Sequence, residues 1–560
     1  MKRSAVPLVH FTSVLLLAAC GGKPVPTAQP APPPEPPAEV HVTPSAPPST
    51  TPTQTAQPQV LAFPDDAFRS KQPPPTAPRP VNLPKVKPFS LKSGIKVYLV
   101  EQHTLPLVSM ELVFDGGAAT DPHGKEGLAT TCMAMLVEGT EKLDKLQYSE
   151  ALADTASSIG AFASDDSVSV SLSSLTKHLD DTFSLFVDTI RTPGFRASDF
   201  ERLVKRRIES VKQAKGTPAA VNARVTGAVL YGASHPLGAV TTEASLTAVT
   251  LDDCKAFATA ALKPSGARLF VVGDLTEGQV RGMFEGKAST QARPALVSWK
   301  GAAKAKAIPA PQTMKGRVFF VNVPGAAQSV VSYLQFGPKR TAPDFFQNSL
   351  MASVFGGGFA SRLNMNLRED KGYSYGARGG FGYSKQFGTF TATSSVRTDA
   401  TYQTLVEIDR EVKQLWQGKA PVTKDELDRE KQGSILGLPG QFATAAAALG
   451  NYRRLVYFGL PLDYFSHYVA NVQKVSESQV KASAAKHLKP GQAVYLVVGD
   501  GNAPMIVHVP DAKPGEPKDQ PYLKDGKPLT LRQALTDLAT RGDVGAGALV
   551  ELDTDGNPLP

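Results

Sequence analysis

An arginine and a tyrosine in the second half of the chain are spaced so that both could act on one carbonyl group. They are Arg368 and Tyr375, seven residues apart in the segment "SRLNMNLREDKGYSY". The pattern predicts a helix that ends at Gly372, with the arginine near its end and the tyrosine on the strand that follows. A guanidinium and a phenol placed in this way can both reach a peptide carbonyl. The same spacing is also typical of a surface arginine and a packed aromatic ring.

A short helical stretch early in the chain has the boundaries of a functional motif but little chemistry inside it. Residues 127–140 read "GLATTCMAMLVEGT". Its internal side chains neither hold a metal ion strongly nor transfer a proton at neutral pH. The chain has three cysteines, and their positions show neither a disulfide framework nor zinc-finger spacing. We therefore expect Cys132 and Cys254 to be small buried apolar residues.

The remaining motifs add no second kind of chemistry. None of the nine histidines stands in a His-x-x-Glu-His or His-Glu-x-x-His pattern, and we expect His123 and His235 to be loop or packing residues. The glycines at 356–358 are not followed by Gly-Lys-Ser/Thr, so they do not form a phosphate-binding loop. The net charge of +9 is mild for 560 residues, and no basic run is interleaved with aromatic residues. Nucleic-acid binding therefore has little support.

An internal repeat indicates which elements position these residues. Residues 262–274 read "LKPSGARLFVVGD" and residues 488–500 read "LKPGQAVYLVVGD", an offset of 490 − 264 = 226 residues. Each segment predicts a helix end, a turn with proline, and an apolar strand. Segments that start at Gly94 and Gly316 each predict a strand, a turn and a second strand. The chain therefore predicts two similar α+β halves that face each other across a cleft.

Capping signals mark a long helix in each half. Ser198 and Glu201 predict a capping box at the start of the first helix, and Thr423 and Glu426 predict one at the start of the second. The predicted segments are a signal sequence at 1–20, a tether at 21–85, a first domain at 86–290, a linker at 291–311, a second domain at 312–505, and a small C-terminal appendix at 506–560.

The N-terminal residues predict export and lipid attachment. Lys2 and Arg3 precede an apolar run that ends in Leu-Ala-Ala-Cys at Cys20. This ending resembles the lipobox of bacterial lipoproteins, which implies acylation of Cys20 and an envelope location, on the outer membrane facing the periplasm. The tether is dominated by Pro, Ala, Thr, Gln and Ser and is predicted to be disordered. An ordinary cleaved signal with an incidental cysteine is the alternative.

The doubled arrangement resembles the insulinase-like (pitrilysin, M16) zinc peptidases over residues 85–505. In active members of that family the early helix reads Gly-Leu-Ala-His-x-x-Glu-His. Its two histidines bind zinc and its glutamate is the general base. Aligned without a gap, these three positions fall at Thr130, Met133 and Ala134. The family's third ligand, a glutamate, falls near Glu209 or Ser210. The resemblance thus implies no zinc site in this chain.

The same resemblance gives Arg368 and Tyr375 a role. In the family this pair faces the zinc site, where the arginine binds substrate and the tyrosine hydroxyl stabilises the oxyanion. The chain therefore resembles the non-catalytic member of two-subunit peptidases. That likeness implies a heterodimer with a zinc-bearing M16 partner, a peptide substrate, and no activity of the chain alone. The lipobox-like sequence adds attachment of this subunit to a membrane through the N-terminal lipid.

Two other functions stay open. One is a stand-alone peptide-binding or assembly lipoprotein of the cell envelope. It predicts no zinc-bearing partner, and little effect on proteolysis when Arg368 or Tyr375 is changed. The other is an active metallopeptidase with an unfamiliar site, which predicts chelator-sensitive activity in the isolated chain.

Overall fold

A computed structural model describes residues 83–286, 293–303, 308–311, 317–513, 515–542 and 549–560. The predicted signal sequence with Cys20, and nearly all of the predicted tether, lie outside these residues. Within the described ranges, every helix is too short or too polar to cross a bilayer.

The strands fall into two large sheets and two small hairpins. In chain order they are β1 (Lys87–Ser90), β2 (Lys96–Glu101), β3 (Leu107–Asp115), β4 (Ser158–Ala163), β5 (Ser167–Leu175), β6 (Arg268–Gly273), β7 (Val318–Asn322), β8 (Gln328–Gly337), β9 (Ser374–Tyr383), β10 (Gly388–Arg397), β11 (Val494–Gly499), β12 (Ile506–His508), β13 (Asp519–Pro521), β14 (Leu523–Lys524), β15 (Lys527–Pro528) and β16 (Leu549–Leu552). The hairpins are β12 with β13 and β14 with β15.

Helices fill most of the remaining described chain. They are α1 (Leu128–Leu136), α2 (Lys145–Asp154), α3 (Leu179–Arg191), α4 (Ala197–Ala214), α5 (Pro218–Tyr231), α6 (Glu243–Ala248), α7 (Leu251–Ala261), α8 (Glu277–Glu285), α9 (Arg293–Val297), α10 (Phe345–Gly356), α11 (Arg362–Asn364), α12 (Thr401–Trp416), α13 (Lys424–Gly437), α14 (Ala445–Phe458), α15 (Tyr464–Gln473), α16 (Glu477–His487) and α17 (Leu531–Arg541).

The two large sheets repeat one arrangement. The first sheet has the order β1-β2-β6-β3-β5-β4, and the second has the order β16-β7-β11-β8-β10-β9. The repeated sequence motif supplies β6 and β11. β6 runs parallel to β2 and antiparallel to β3, and β11 runs parallel to β7 and antiparallel to β8. The predicted pair of similar α+β halves is confirmed.

The two sheets differ at one edge. β1 pairs antiparallel with β2 in the first sheet, whereas β16 pairs parallel with β7 in the second. The strand at this edge of the second sheet therefore comes from the last residues of the chain. Because an edge strand presents unpaired N–H and C=O groups, β16 satisfies those groups along one side of β7.

Each sheet buries one face under helices of its own half and the opposite face under a helix of the other half. Helix α5 covers the second sheet, in a cluster that includes Val221, Val225, Val229, Val321, Leu496 and Val498. Helix α14 covers the first sheet, in a cluster that includes Leu449, Tyr452, Leu455, Val100, Phe270 and Val272. The two halves thus exchange helices at equivalent positions.

An ion-pair cluster fastens the C-terminal turn to the helices of the first half. Asp555 accepts hydrogen bonds from Lys215 Nζ at 2.6 Å and from Arg224 Nη2 at 2.7 Å. The turn itself is held by Asp553, whose Oδ1 accepts from the backbone N–H groups of Asp555 and Asn557 at 2.9 Å each. The end of the chain therefore contacts both halves.

Two local expectations were wrong and one is confirmed. Cys132 on α1 and Cys254 on α7 are buried, but they form a disulfide, with their Cα atoms 4.7 Å apart. Only the packing of α1 on α7 brings these residues together, across a sequence separation of 122. Helix α4 begins two residues earlier than the capping box predicts, so Ser198 lies inside its first turn and no side chain caps it. The capping box at Thr423 is present.

We expect loss of the disulfide to lower the free energy of unfolding by about 2–5 kcal/mol, because the bond restrains a long loop in the unfolded chain. The measurement is denaturant unfolding of the wild type and of the Cys132→Ala/Cys254→Ala variant, each with and without reductant. Reductant should shift the wild-type transition and leave the variant unchanged. An unfolding transition of the wild type at the same denaturant concentration with and without reductant would contradict the presence of the disulfide.

We also expect the exchanged helices to make the two halves unfold together. Leu449→Ala removes a buried side chain between α14 and the first sheet, and should lower the free energy of unfolding by about 2–5 kcal/mol within a single transition. Leu436→Ala is the control, since Leu436 on α13 is 63% exposed. Two separate transitions in the Leu449 variant would show that the halves are independent.

Candidate functional site

The start of α1 is fixed by a carboxylate. Asp121 Oδ2 accepts a hydrogen bond from Gly127 N and Oδ1 accepts one from Ala129 N, each at 2.9 Å. These N–H groups belong to the first turn of the helix, where no intrahelical acceptor exists. Burial raises the pKa of Asp121 to about 6, although the hydrogen bonds to the carboxylate act in the opposite direction. The glycine at 127 has a φ of +98°, which favours glycine at this helix start.

The three zinc-motif positions lie on α1, and an arginine occupies the space beside the first. Thr130 Oγ1 accepts a hydrogen bond from Arg207 Nη2 at 2.6 Å. Met133 is buried in the apolar core of the first sheet, and Ala134 is half-buried. Burial and the neighbouring charge of Arg206 lower the pKa of Arg207, whereas Asp121 raises it. The guanidinium of Arg207, on α4, therefore lies beside Thr130, where a metal ion bound by this helix would have to lie.

The residues near the expected third-ligand position do not turn toward α1. Glu209 is exposed and accepts a hydrogen bond from Lys212 Nζ at 2.8 Å. Ser210 is also exposed, and its hydroxyl donates to the backbone carbonyl of Arg206 at 3.0 Å. Within the described ranges, no three His, Cys, Asp or Glu side chains are grouped so that they could hold a metal ion. These residues do not fit zinc, since a catalytic site needs about three protein ligands.

Arg368 and Tyr375 lie in a short turn from helix to strand, as their spacing predicts. Helix α11 continues as a π-helix over Met365–Asp370, and Gly372, with a φ of +63°, ends it before β9 begins. The guanidinium of Arg368 lies over the ring of Phe359, 4.8 Å from its centroid. Tyr375 is 89% exposed at the start of β9.

These two residues line the same pocket, which has a volume of about 360 Å³. Asn364 fixes its walls, because Oδ1 accepts from Ala377 N at 2.7 Å and Nδ2 donates to Gly358 O at 2.6 Å. One amide thus joins the glycine loop, the helix and the strand. The sequence patterns do not single out Asn364, and its signal is a polar side chain between Leu363 and Leu367, which are both buried in the helix.

The two singled-out histidines lie elsewhere. His123 is exposed beside Glu126, with Nδ1 3.2 Å from Oε1. His235 caps a short turn, where Nδ1 accepts from Leu237 N at 3.1 Å, and its ring stacks on Tyr231 at 5.3 Å. The structure therefore places His123 on a loop and His235 in packing contacts.

Comparison with known proteins agrees with the fold and the motif. Residues 96–233 match the family described as "Insulinase (Peptidase family M16)", and residues 248–434 match "Peptidase M16 inactive domain". The chain is 23% identical to the "Non-peptidase homolog YmxG" of Helicobacter pylori (strain ATCC 700392 / 26695), over 73% of this chain and 93% of that protein.

Solved structures give the same answer. The peptidase M16 inactive domain from Pseudomonas fluorescens is 27% identical, with a TM-score of 0.67 over 74% of this chain and 98% of that one. A protease from Helicobacter pylori shares the fold, at 19% identity and a TM-score of 0.65 over 74% of this chain and 100% of that one. The doubled sheet, the helix at 128–136 and these likenesses agree, and the chain belongs to the insulinase-like (M16) peptidase family as a member with threonine, methionine and alanine at the zinc-motif positions.

Proposed function

We propose that the chain is a non-catalytic, substrate-binding subunit of a membrane-tethered zinc peptidase. A partner subunit with His-x-x-Glu-His would supply the metal and the general base, and this chain would complete the chamber. One observation carries the proposal: Arg207 of α4 donates a hydrogen bond to Thr130 at the first zinc-motif position, while Arg368 and Tyr375 line an open pocket.

The chemistry at α1 supports the absence of zinc catalysis in this chain. Threonine and alanine supply no imidazole, and Met133 is 1% exposed within an apolar core. A carboxylate at that position would be buried, at a high energetic cost unless it were paired. The nearby guanidinium repels any divalent cation. The homologue in Helicobacter pylori is also named a non-peptidase, which agrees with this interpretation.

The pocket at β9 supports a role in peptide binding. The phenol of Tyr375 is exposed, so its hydroxyl is free to donate to a peptide carbonyl oxygen that gains negative charge. The arginine beside it adds a fixed positive charge with several donors. Both groups act on a substrate whether or not the same chain holds the metal.

The cysteines support an envelope location. Disulfides such as Cys132–Cys254 persist in oxidising compartments, including the bacterial periplasm. Attachment would come through Cys20 in its lipobox-like sequence. A stand-alone peptide-binding lipoprotein would use the same pocket and the same anchor, and the presence of a zinc-bearing partner separates the two functions.

We expect the tagged chain, extracted gently from its native membranes, to carry a near-stoichiometric partner that contains His-x-x-Glu-His. Tyr375→Phe should then lower kcat for peptide cleavage by the pair about 10²- to 10³-fold, as does loss of one oxyanion donor elsewhere. Tyr98→Phe is the matched control, because that ring stacks on Phe270 within the first sheet. An unaltered rate in the Tyr375 variant, or the absence of such a partner, would favour the stand-alone function.

We further expect Arg207 to weaken zinc binding even when histidines are introduced at both histidine positions of the zinc motif. The variant Thr130→His/Ala134→His should bind zinc at least about tenfold more weakly than the same variant with Arg207→Glu, because the latter replaces a repelling cation by a third ligand. Equilibrium dialysis with metal analysis measures the occupancy, with Arg207→Glu alone as the control. Equal affinity in both variants would show that Arg207 does not exclude the metal.

A further inference from the structure

The charged side chains that line the pocket beside Tyr375 are all positive. Arg368 and Arg378 both line it, and no aspartate or glutamate does. The other lining residues are glycine, alanine, aromatic, amide and hydroxyl residues. The pocket therefore presents two guanidinium groups without an acidic side chain between them.

No contact among the described residues explains an arginine at position 378. It is exposed on β9 and lies opposite Thr393 of β10. It makes no hydrogen bond or ion pair with the residues that the structure describes. By contrast, the exposed Arg397 at the end of β10 pairs with Asp399, with Nη2 and Oδ2 3.0 Å apart. The donors of Arg378 are thus available to a ligand.

A bulge in β9 brings Arg378 to the side of the strand on which Tyr375 lies. Residues three apart in a regular strand point to opposite faces. Here the register between β9 and β10 shifts by one residue, since Ser374 lies opposite Val396 and Ala377 opposite Ser394. The extra residue in β9 puts Tyr375 and Arg378 on the same side of the strand, although they are three residues apart. Both residues line the pocket.

The other guanidinium of the pocket, that of Arg368, is held in one orientation, but no acidic side chain in the pocket neutralises its charge. Stacking on Phe359 fixes the plane of Arg368 and leaves its edge donors accessible. Its acidic neighbour is Glu369, whose Oε1 lies 3.3 Å from Nε. Because these side chains are exposed by 40% and 42%, solvent screens the pair and a ligand can compete with it.

Two neutral polar side chains of the pocket, Asn364 and Ser394, already make hydrogen bonds to the protein. Asn364 uses both its oxygen and its nitrogen to hold the walls. Ser394 donates toward Ser374 Oγ at 2.9 Å and Gly376 O at 3.2 Å. The phenol, the two guanidiniums and the hydroxyl of Ser395 therefore remain to recognise a ligand, and only the guanidiniums carry charge.

We infer that this pocket binds a carboxylate of the peptide through Arg378 together with Arg368, next to the carbonyl held by Tyr375. The inference rests on the proposed peptide-binding function and adds a substrate class to it, which is peptides with an acidic side chain or a free C-terminus at this point. A guanidinium fork matches a carboxylate, and such charge-assisted bonds are about twice as strong as neutral ones.

The test measures fluorescence anisotropy with the full chain and labelled ten-residue peptides. One peptide has a central Glu, its partner has Gln at the same position, and both have amidated C-termini. A third is the Gln peptide with a free C-terminal carboxylate. We expect the Glu peptide or the free-acid peptide to bind about tenfold more tightly than the amidated Gln peptide. The first result assigns the pocket to a side chain and the second to a C-terminus.

The variants locate the effect. Arg378→Gln should remove the preference for a carboxylate, so that the Glu peptide and the free-acid peptide bind no more tightly than the amidated Gln peptide. Arg378→Glu should favour a matched Lys peptide instead. Arg397→Gln is the control, since Arg397 is an exposed arginine of the neighbouring strand outside the pocket lining. The control should retain the wild-type preference.

The outcomes separate the inference from the function on which it rests. Equal binding of all three peptides, or a preference that survives in Arg378→Gln, overturns the carboxylate site and leaves peptide binding intact. If the wild type binds none of the peptides, both the inference and the proposed function fall.

Discussion

The arrangement of this protein depends on sheets that need cover on both faces. β6 and β11 are buried along their lengths on both sides, as their continuous apolar sequences require. Each half supplies helices for one face of its sheet, and the other face is covered by α14 or α5 from the opposite half. Neither sheet is therefore fully buried without the other half. The exchange fixes the two halves against each other and so fixes the surfaces on which sites can form.

The same constraint explains why α1 remains after its metal ligands are gone. The helix packs Met133 and Leu136 into the core of the first sheet, and its cysteine joins it to α7. Removing the helix would open that core, whereas changing three polar ligands would not. Apolar or small residues then avoid unpaired polar groups in a buried site. The threonine at 130 keeps a polar atom, and Arg207 satisfies it.

The pocket on β9 differs from α1, because its arginines and its tyrosine lie at the surface and do not pack into the core of the sheet. The backbone there is shaped by a π-helical turn, a left-handed glycine and a bulge, which together place Arg368, Tyr375 and Arg378 around one opening. Such irregular backbone is common near binding sites, where it redirects side chains. Asn364 holds these irregular pieces together from below.

The sequence by itself determined the local features of this protein. Apolar periodicity gave the strands, and the repeat at an offset of 226 residues placed β6 and β11 in equivalent positions. The identities at 130, 133 and 134 excluded zinc ligands, and the spacing of Arg368 and Tyr375 put them on one helix-to-strand turn. Only the tertiary structure decided the contacts between distant segments. These are the bond between Cys132 and Cys254, the placement of Arg207 over Thr130, and the exchange of α5 and α14. The reason is physical: periodicity and spacing act within one element, whereas which surfaces meet depends on the packing of the whole chain, and strand alternation fails for Arg378 because a bulge shifts the register by one residue.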